Sequence, residues 1–393
     1  MSTENYPDVV LKHGAEARVF GGHLWIFSNE LHDGFQKNQP GDVVRVVDGK
    51  GRFYGVGTIN PHSLIAVRLM SRDDEAINRE FLFRRLDNGL AARQRMLGDD
   101  SVCRVVFSEA DGLPGIIVDR FGDLVVYQTL TAGTDRMQQD LIEWIETRLR
   151  PSAIVAANDS SMRGLEGLPQ ERKIVYGEID ETFQFEQDGL QLLADPVKGQ
   201  KTGYFLDQRL NRKLMQSFVR GGESFLDLFC YTGAFGLYAL KAGAGQATFV
   251  DGSERALELV KQVVNANDFV DRASYIKADI FDWLKQSDQQ YDIVSVDPPA
   301  LAKSRSKATI ALRAYRDLNA RAMKWVKPGG LLLTSSCSGL ISRVNWRKSL
   351  EEAAFKSRRN VRFLAFGTQA PDHPVLAAMP ETEYLKFAVA QVV

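Results

Sequence analysis

Two hydrophobic periodicities divide the chain. Up to about residue 72 the apolar positions come in short alternating runs. Gly41-Asp-Val-Val-Arg-Val-Val-Asp48 alternates and then breaks in Asp48-Gly-Lys-Gly51, a hairpin signal, with Arg52–Gly57 as the return strand. This pattern predicts a small β-rich domain over 1–72. Residues 75–97 then repeat apolar positions at helical spacing. Strand-like runs follow at 104–107, 115–118 and 124–130, then an amphipathic helix at 135–149 stopped by Pro151, and a strand at 153–157. That order predicts a central α+β domain, 73–185. Within 183–193, Gln187-Asp-Gly189 predicts another hairpin. From Ser224 onward the pattern becomes regular, with strands at 224–229, 246–250, 273–277, 291–296 and 330–334 alternating with helical stretches. The runs 362–366 and 383–392 read as a closing strand pair. Strand–helix alternation implies a mainly parallel sheet with helices on both faces, so residues 186–393 read as a doubly wound, Rossmann-like α/β domain.

Composition narrows the class. A chain of 393 residues, 44% hydrophobic and 25% charged, is that of a multidomain globular protein. No apolar run is long enough for a bilayer, and the N-terminus lacks the basic start and apolar stretch of a secretory signal, so no membrane role and a cytoplasmic location are expected. The three cysteines, Cys103, Cys230 and Cys337, have neither metal-ligand spacing nor the pattern of a disulfide framework; reduced thiols and no metal are expected. The net charge of −1 hides two basic stretches. One carries Lys303, Arg305, Lys307, Arg313, Arg316, Arg321, Lys324 and Lys327 against Asp317 alone; the other carries Arg343, Arg347, Lys348, Lys356, Arg358, Arg359 and Arg362. Local charge governs attraction to phosphates, so these stretches are candidates for nucleic acid; solvated helix faces are the plainer alternative.

Candidate chemistry gathers at strand ends. Leu226-Asp-Leu-Phe-Cys-Tyr-Thr-Gly-Ala-Phe-Gly236 is a strand, a glycine-containing turn and a helix start, where Gly233 and Gly236 allow close backbone approach. It is not the Gly-x-Gly-x-x-Gly pattern. Asp227 would repel a pyrophosphate but suits a ligand with an ammonium group, such as the methionine part of S-adenosylmethionine. Asp251, at the tip of the next strand, is placed for ribose hydroxyls. Asp279, after the third strand, is placed for an adenine amino group. Each acid could instead cap a helix.

The fourth strand ends in Asp297-Pro-Pro299 and the fifth in Ser336-Cys-Ser338. If these strands are neighbours, the two loops meet at the carboxyl rim, with Asp297 to orient a flat amino-bearing group. Free cysteine is commonly buried and inert. The polar residues around Cys337, a nearby basic stretch and a helix start favour instead a thiolate nucleophile. Cys230 and Cys103 read as packing residues. A thiolate adding at carbon 6 of a pyrimidine makes carbon 5 able to attack a methyl sulfonium, and such an enzyme must act on an unpaired or flipped nucleotide.

These motifs resemble the family of RNA methyltransferases built from an N-terminal PUA domain, a small central α+β domain and a class I S-adenosylmethionine-dependent domain, in particular its bacterial 23S ribosomal RNA cytosine-5 members. The resemblance is carried by Trp25-Ile-Phe-Ser-Asn-Glu30, Glu109-Ala-Asp-Gly-Leu-Pro-Gly115, Gly199–Arg209, Leu226–Gly236, Val296–Pro299 and Thr334–Gly339. It implies S-adenosylmethionine as cofactor, 23S ribosomal RNA as partner and Cys337 as nucleophile. It implies that Thr202–Arg209 closes over the donor, bringing Tyr204, Asp207, Gln208 and Arg209 to it. With Asp227, Phe229, Gly233, Asp251, Asp279 and Asp297 these form the expected donor site. Asp372-His-Pro374 also matches the family and reads as a structural turn.

Two departures stand out. Asn158-Asp-Ser-Ser-Met-Arg163 replaces a more basic segment, and Ala300-Leu301 follow Asp-Pro-Pro, so the second cysteine of another cytosine-5 group is missing. The base that removes the carbon 5 proton is left to Asp297 or a water. Methylation of guanine or a small molecule without covalent catalysis, and a non-catalytic RNA-binding role, stay open here, as does a homodimer.

Overall fold

The computed structural model describes residues 6–98, 101–285, 289–302 and 304–393; Lys303 lies outside them. Among them no helix is long and apolar enough to cross a membrane. The chain forms two compact units, Met1–Phe183 with Ala194–Tyr204 and Pro371–Thr382, and Gln184–Leu193 with Phe205–Ala370 and Glu383–Val393.

In the first unit, β1 (Asp8–Leu11), α1 (Glu16–Phe20), β2 (Trp25–Phe27), β3 (Val43–Asp48), β4 (Phe53–Ile59) and β5 (Ile65–Ser71) build a sheet ordered β1-β3-β4-β5-β2. The Asp48 turn is as expected: its carboxylate accepts from the main-chain N–H of Lys50 and Arg52 at 2.8 and 2.9 Å. Helix α2 (Arg79–Leu97) starts later than the periodicity suggested, because Asn78 caps it by accepting from the Phe81 N–H. Strands β6 (Val102–Phe107), β7 (Ile116–Phe121) and β8 (Leu124–Thr129) precede α3 (Ala132–Asp135), α4 (Gln138–Arg148), β9 (Ala153–Asn158) and α5 (Ser161–Leu165). A strand absent from the sequence reading, β10 (Glu171–Gly177), closes the sheet β10-β9-β8-β7-β6 at its edge. Its residues are mostly exposed, so it lacks the apolar alternation that marks a strand.

Several of the motifs that carry the resemblance hold this unit together. The Trp25 indole donates to Glu109 at 2.8 Å, and Glu30 accepts from the Phe27 N–H at 2.7 Å. Arg93, 1% exposed, pairs with both oxygens of Asp111 and donates to the Asp372 carbonyl. The Asp372 carboxylate accepts from the Arg104 N–H and meets the buried His373 ring, so this turn is structural. Asn158 and Arg163 are equally internal: Asn158 bonds Thr129, and Arg163 pairs with Asp135 at 2.7 Å.

The second unit begins with the hairpin β11 (Phe183–Gln187) and β12 (Leu190–Ala194), turned by left-handed Asp188 and Gly189. Then come α6 (Arg209–Gln216), β13 (Ser224–Leu228), α7 (Ala234–Lys241), β14 (Gln246–Asp251), α8 (Glu254–Ala266), β15 (Ala273–Lys277), α9 (Ile280–Trp283), β16 (Tyr291–Val296), α10 (Ala308–Trp325), β17 (Val326–Ser336), α11 (Arg343–Ser357), β18 (Val361–Gly367) and β19 (Lys386–Val392). The sheet order is β15-β14-β13-β16-β17-β19-β18, parallel through β17 and antiparallel at β19. Its interior strands are buried on both faces, as in Leu226, Leu228, Phe249, Val294 and Leu332. Strand order reverses between β13 and β16, and ligands of such sheets gather outside the carboxyl ends of the strands at that switch.

Candidate active site

The loop after β13 is held in an unusual conformation. Phe229, Tyr231 and Gly233 have φ of 60°, 48° and 75°. For the two non-glycine residues this costs about 1–3 kcal/mol each, and it persists only where surroundings impose it. Here they do. The Cys230 N–H donates to Val250 at 3.2 Å, the Gly233 N–H to Cys230 at 2.7 Å, and the Tyr231 N–H to the Asp251 carboxylate at 3.1 Å. Asp227 accepts from the Gly236 N–H at 2.9 Å, so one donor of the helix start serves the protein itself.

The two glycines are also packing positions. A Cβ on Gly236 would overlap the Phe249 ring, and one on Gly233 would meet Val260 at 3.0 Å and Phe249 at 3.1 Å. Their missing side chains let α7 seat on the sheet, and this packing, with the left-handed turn at Gly233, is what the structure shows them doing.

Burial pushes the Asp227 carboxyl up to about 8, against the Gly236 N–H and with help from the Asp297 and Asp251 charges. The acid is therefore largely protonated at neutral pH until a cation arrives. Asp251 sits at the tip of β14, one oxygen on the Tyr231 N–H and the other on the Ser253 N–H at 2.9 Å. Asp279 is exposed and caps α9, accepting from the Asp282 N–H at 3.1 Å. The Phe229 ring meets Phe281 of α9 edge-on, with centroids 5.9 Å apart.

Residues 207–209 supply a second group. The Gln208 amide donates to Asp297 at 3.0 Å and to Ser335 at 3.1 Å, while Asn211 donates to its carbonyl at 2.6 Å and so fixes which way the amide points. Asp207 accepts from the Tyr384 hydroxyl at 2.6 Å. Arg209 faces the hairpin: it pairs with Asp188 at 3.2 Å. Burial raises that carboxyl, but bonds from Lys213, Tyr238 and Arg209 outweigh it and hold Asp188 at about 2. Tyr204 belongs to the first unit, where it is buried edge-on to Phe121. Asn211, Tyr384 and Phe281 were not anticipated, since single polar or aromatic residues inside elements carry no motif that would flag them; Ser335 lies within the Thr334–Gly339 motif but was given no role there.

Strands β16 and β17 are neighbours, paired from Ile293–Leu331 to Val296–Thr334. The Asp-Pro-Pro and Ser-Cys-Ser loops therefore leave adjacent strands at the same rim. Asp297 is pushed up to about 6 by burial and by Asp207, against bonds from Gln208 and Ser335. The Cys337 thiol lies 3.9 Å from the Pro298 carbonyl and is partly exposed, whereas its neighbours Ser336 and Ser338 are buried. Cys230 and Cys103 are buried, and burial, with Asp227 and Asp251, holds the Cys230 thiol well above the usual range. The basic stretches are partly spent inside the protein. Arg316 and Lys356 pair with Asp317, Lys327 with Asp292, and Arg321 donates to the Phe281 carbonyl. Lys307, Arg313, Lys324, Lys348, Arg358 and Arg362 stay exposed.

Comparison with known proteins agrees with this layout. Residues 9–72 match the PUA-like domain family, and residues 170–378 match the S-adenosylmethionine-dependent methyltransferase family. The chain is 39% identical over 393 residues to the ribosomal RNA large subunit methyltransferase I of Shewanella denitrificans, covering 98% of this chain and 99% of that one. Identity to the protein of the same name from Photobacterium profundum is 37%, covering 96% and 97%. A solved protein of Streptococcus mutans, assigned as a SAM-dependent methyltransferase, superposes with a TM-score of 0.83 at 21% identity, covering 98% of this chain and all of that one, which establishes the shared fold. The donor set fits that cofactor: a buried acid that a cation would ionise, and a carboxylate fixed at the tip of the second strand. The chain thus belongs to the family of S-adenosylmethionine-dependent methyltransferases that carry an N-terminal PUA-like domain.

Proposed function

We propose that this enzyme methylates carbon 5 of a cytosine in 23S ribosomal RNA, with Cys337 as covalent nucleophile. The observation that carries the chemistry is the placement of a partly exposed thiol at the end of β17, against the Asp-Pro-Pro loop of the neighbouring strand. The ribosomal substrate is supported by the relatives, which are named as large-subunit ribosomal RNA methyltransferases.

Asp227 and Asp251 hold the cofactor, Asp227 by pairing with its cationic portion and Asp251 through ribose hydroxyls. Phe229 and Phe281 form an apolar wall beside that loop. Gly233 shapes the loop; Asp207 and Gln208 close the segment next to Asp297. Arg209 and Asp279 bear on it less directly, through Asp188 and the α9 cap. When bound, the cofactor supplies an electrophilic methyl group on sulfonium sulfur. The Cys337 thiolate forms a C–S bond at carbon 6, and the ring electrons shift to carbon 5, which would take up the methyl group as its bond to the sulfonium sulfur breaks and leaves a neutral thioether. Loss of the carbon 5 proton to a base then restores the ring double bond, the C–S bond breaks, and the thiolate is regenerated. Asp297 orients the base edge, and either it or a water accepts the proton; its value near 6 leaves it mostly ionised at neutral pH, as an acceptor must be.

The test uses Cys337→Ala, ribosomal RNA and a labelled donor, with digestion to nucleosides. Loss of labelled 5-methylcytidine is expected. Undiminished methylation would remove the covalent step, and label on guanosine would remove the pyrimidine assignment.

A further inference from the structure

Lysine is rarely buried, yet Lys386, the first residue of β19, is 2% exposed, and β19 lies between β17 and β18. An ammonium taken out of water costs several kcal/mol unless charge or hydrogen bonds compensate it. Lys386 donates to the Ser338 carbonyl at 2.7 Å and the Tyr384 carbonyl at 2.8 Å. Among the described residues no carboxylate lies within ion-pair distance of it.

What surrounds it is the cysteine loop. The backbone of Lys386 pairs with Ser336, the residue before Cys337, while its ammonium grips the residue after it. Ser338 is fixed from two further directions: its hydroxyl shares a hydrogen bond with Tyr315 of α10 at 3.0 Å and accepts from the Ala302 N–H at 3.3 Å. The residues on both sides of Cys337 are thereby immobilised in the interior, and the thiol is the part left accessible.

We propose that Lys386 is the positioning residue of Cys337, its ammonium both pinning the loop through the Ser338 carbonyl and favouring the thiolate beside it; for catalysis this rests on the reading of Cys337 as nucleophile. The electrostatics run the same way. Burial lowers the Lys386 ammonium to about 8, and the Cys337 charge works against that fall. Such coupling is reciprocal, so the cation that a thiolate supports also supports the thiolate. The other charged groups nearby are few: Arg343 at the start of α11 opposes the Lys386 charge, and Glu383 supports it while paired with Arg343 at 3.0 Å. Tyr315 faces the loop from α10.

The experiment is site-resolved alkylation by iodoacetamide against pH, read by mass spectrometry of the Cys337 peptide, on wild type, Lys386→Met and Lys386→Arg. Lys386→Met keeps the aliphatic stem and removes the charge. Its alkylation midpoint should rise by about one pH unit, and kcat should fall about tenfold with KM for RNA and donor unchanged, while Lys386→Arg should restore most of the midpoint. A Lys386→Met midpoint equal to that of wild type overturns the proposal. Should Lys386→Met fail to fold by circular dichroism, native wild-type protein is compared with the same protein in urea: a native midpoint at or above the unfolded one overturns it equally. Alkylation does not depend on methyl transfer. If Cys337→Ala retained activity, the nucleophile reading would fall while these profiles still decided what Lys386 does to the thiol.

Discussion

Two cysteines follow parallel strands at one rim of the sheet, and their surroundings make them opposites. Cys230 lies two residues past β13, buried, with Asp227 and Asp251 beside it; burial and these acids both disfavour its thiolate. Cys337 lies one residue past β17, partly exposed, in a loop gripped by a buried ammonium. Both follow an apolar strand, and the residues around them in the sequence already favoured Cys337. What separates them is the sign of the nearby charge and access to solvent, which control thiol reactivity.

The sharpest way to break this contrast is to exchange the outcomes. Cys337→Ala should lower methyl transfer by about 1,000-fold or more, while Cys230→Ala should stay within about twofold, measured as single-turnover incorporation of labelled methyl. Equal losses would mean the two surroundings do not matter as argued. Next in size is Asp227→Asn, which should weaken donor binding by about 100-fold in calorimetry at pH 8.5, since the amide cannot pair with a cation.

The pH dependence of that binding follows from the same residue. The free protein holds Asp227 protonated below about 8, and a cationic ligand needs the carboxylate. Donor affinity should therefore rise with pH, up to about tenfold per unit between pH 6 and 8, then level off; in Asp227→Asn the profile should be flat over that range. The corresponding stability effect has the opposite sign. A carboxyl whose native value is raised binds more protons folded than unfolded, so its contribution is lost as pH climbs from about 4 to 8, and Asp227→Asn should lessen the fall in Tm across that window. The smallest effect expected is on the packing of α7 against Phe249. Gly236→Ala forces a methyl against Phe249 and should cost about 1–3 kcal/mol in urea unfolding, with donor affinity reduced only through the displaced loop.

Much of this was legible along the chain. Apolar runs separated by helical stretches located the parallel strands, which are buried on both faces, and the turn residues Gln187-Asp-Gly189 located the hairpin; the acids at successive strand tips stood out against those runs. Edge strand β10 was not legible, since a strand that buries little needs no apolar pattern. Gln208, Asn211 and Ser335 were hidden as a set because their bonds join residues as far apart as 208 and 335. Lys386 was hidden differently: a lysine that opens an apolar strand reads as a solvated strand end, and here that end is buried.

The sequence by itself determined the element order, the doubly wound sheet and the candidate residues at its carboxyl rim, because periodicity and turn chemistry are local. Only the tertiary structure decided which residues share an environment. It assigned the glycines of the donor loop to packing and raised Asp227 by burial. It turned Arg209 toward Asp188, and it brought an ammonium from the last strand to the loop of Cys337. Those outcomes depend on dielectric and on neighbours distant in sequence, which no window along the chain contains.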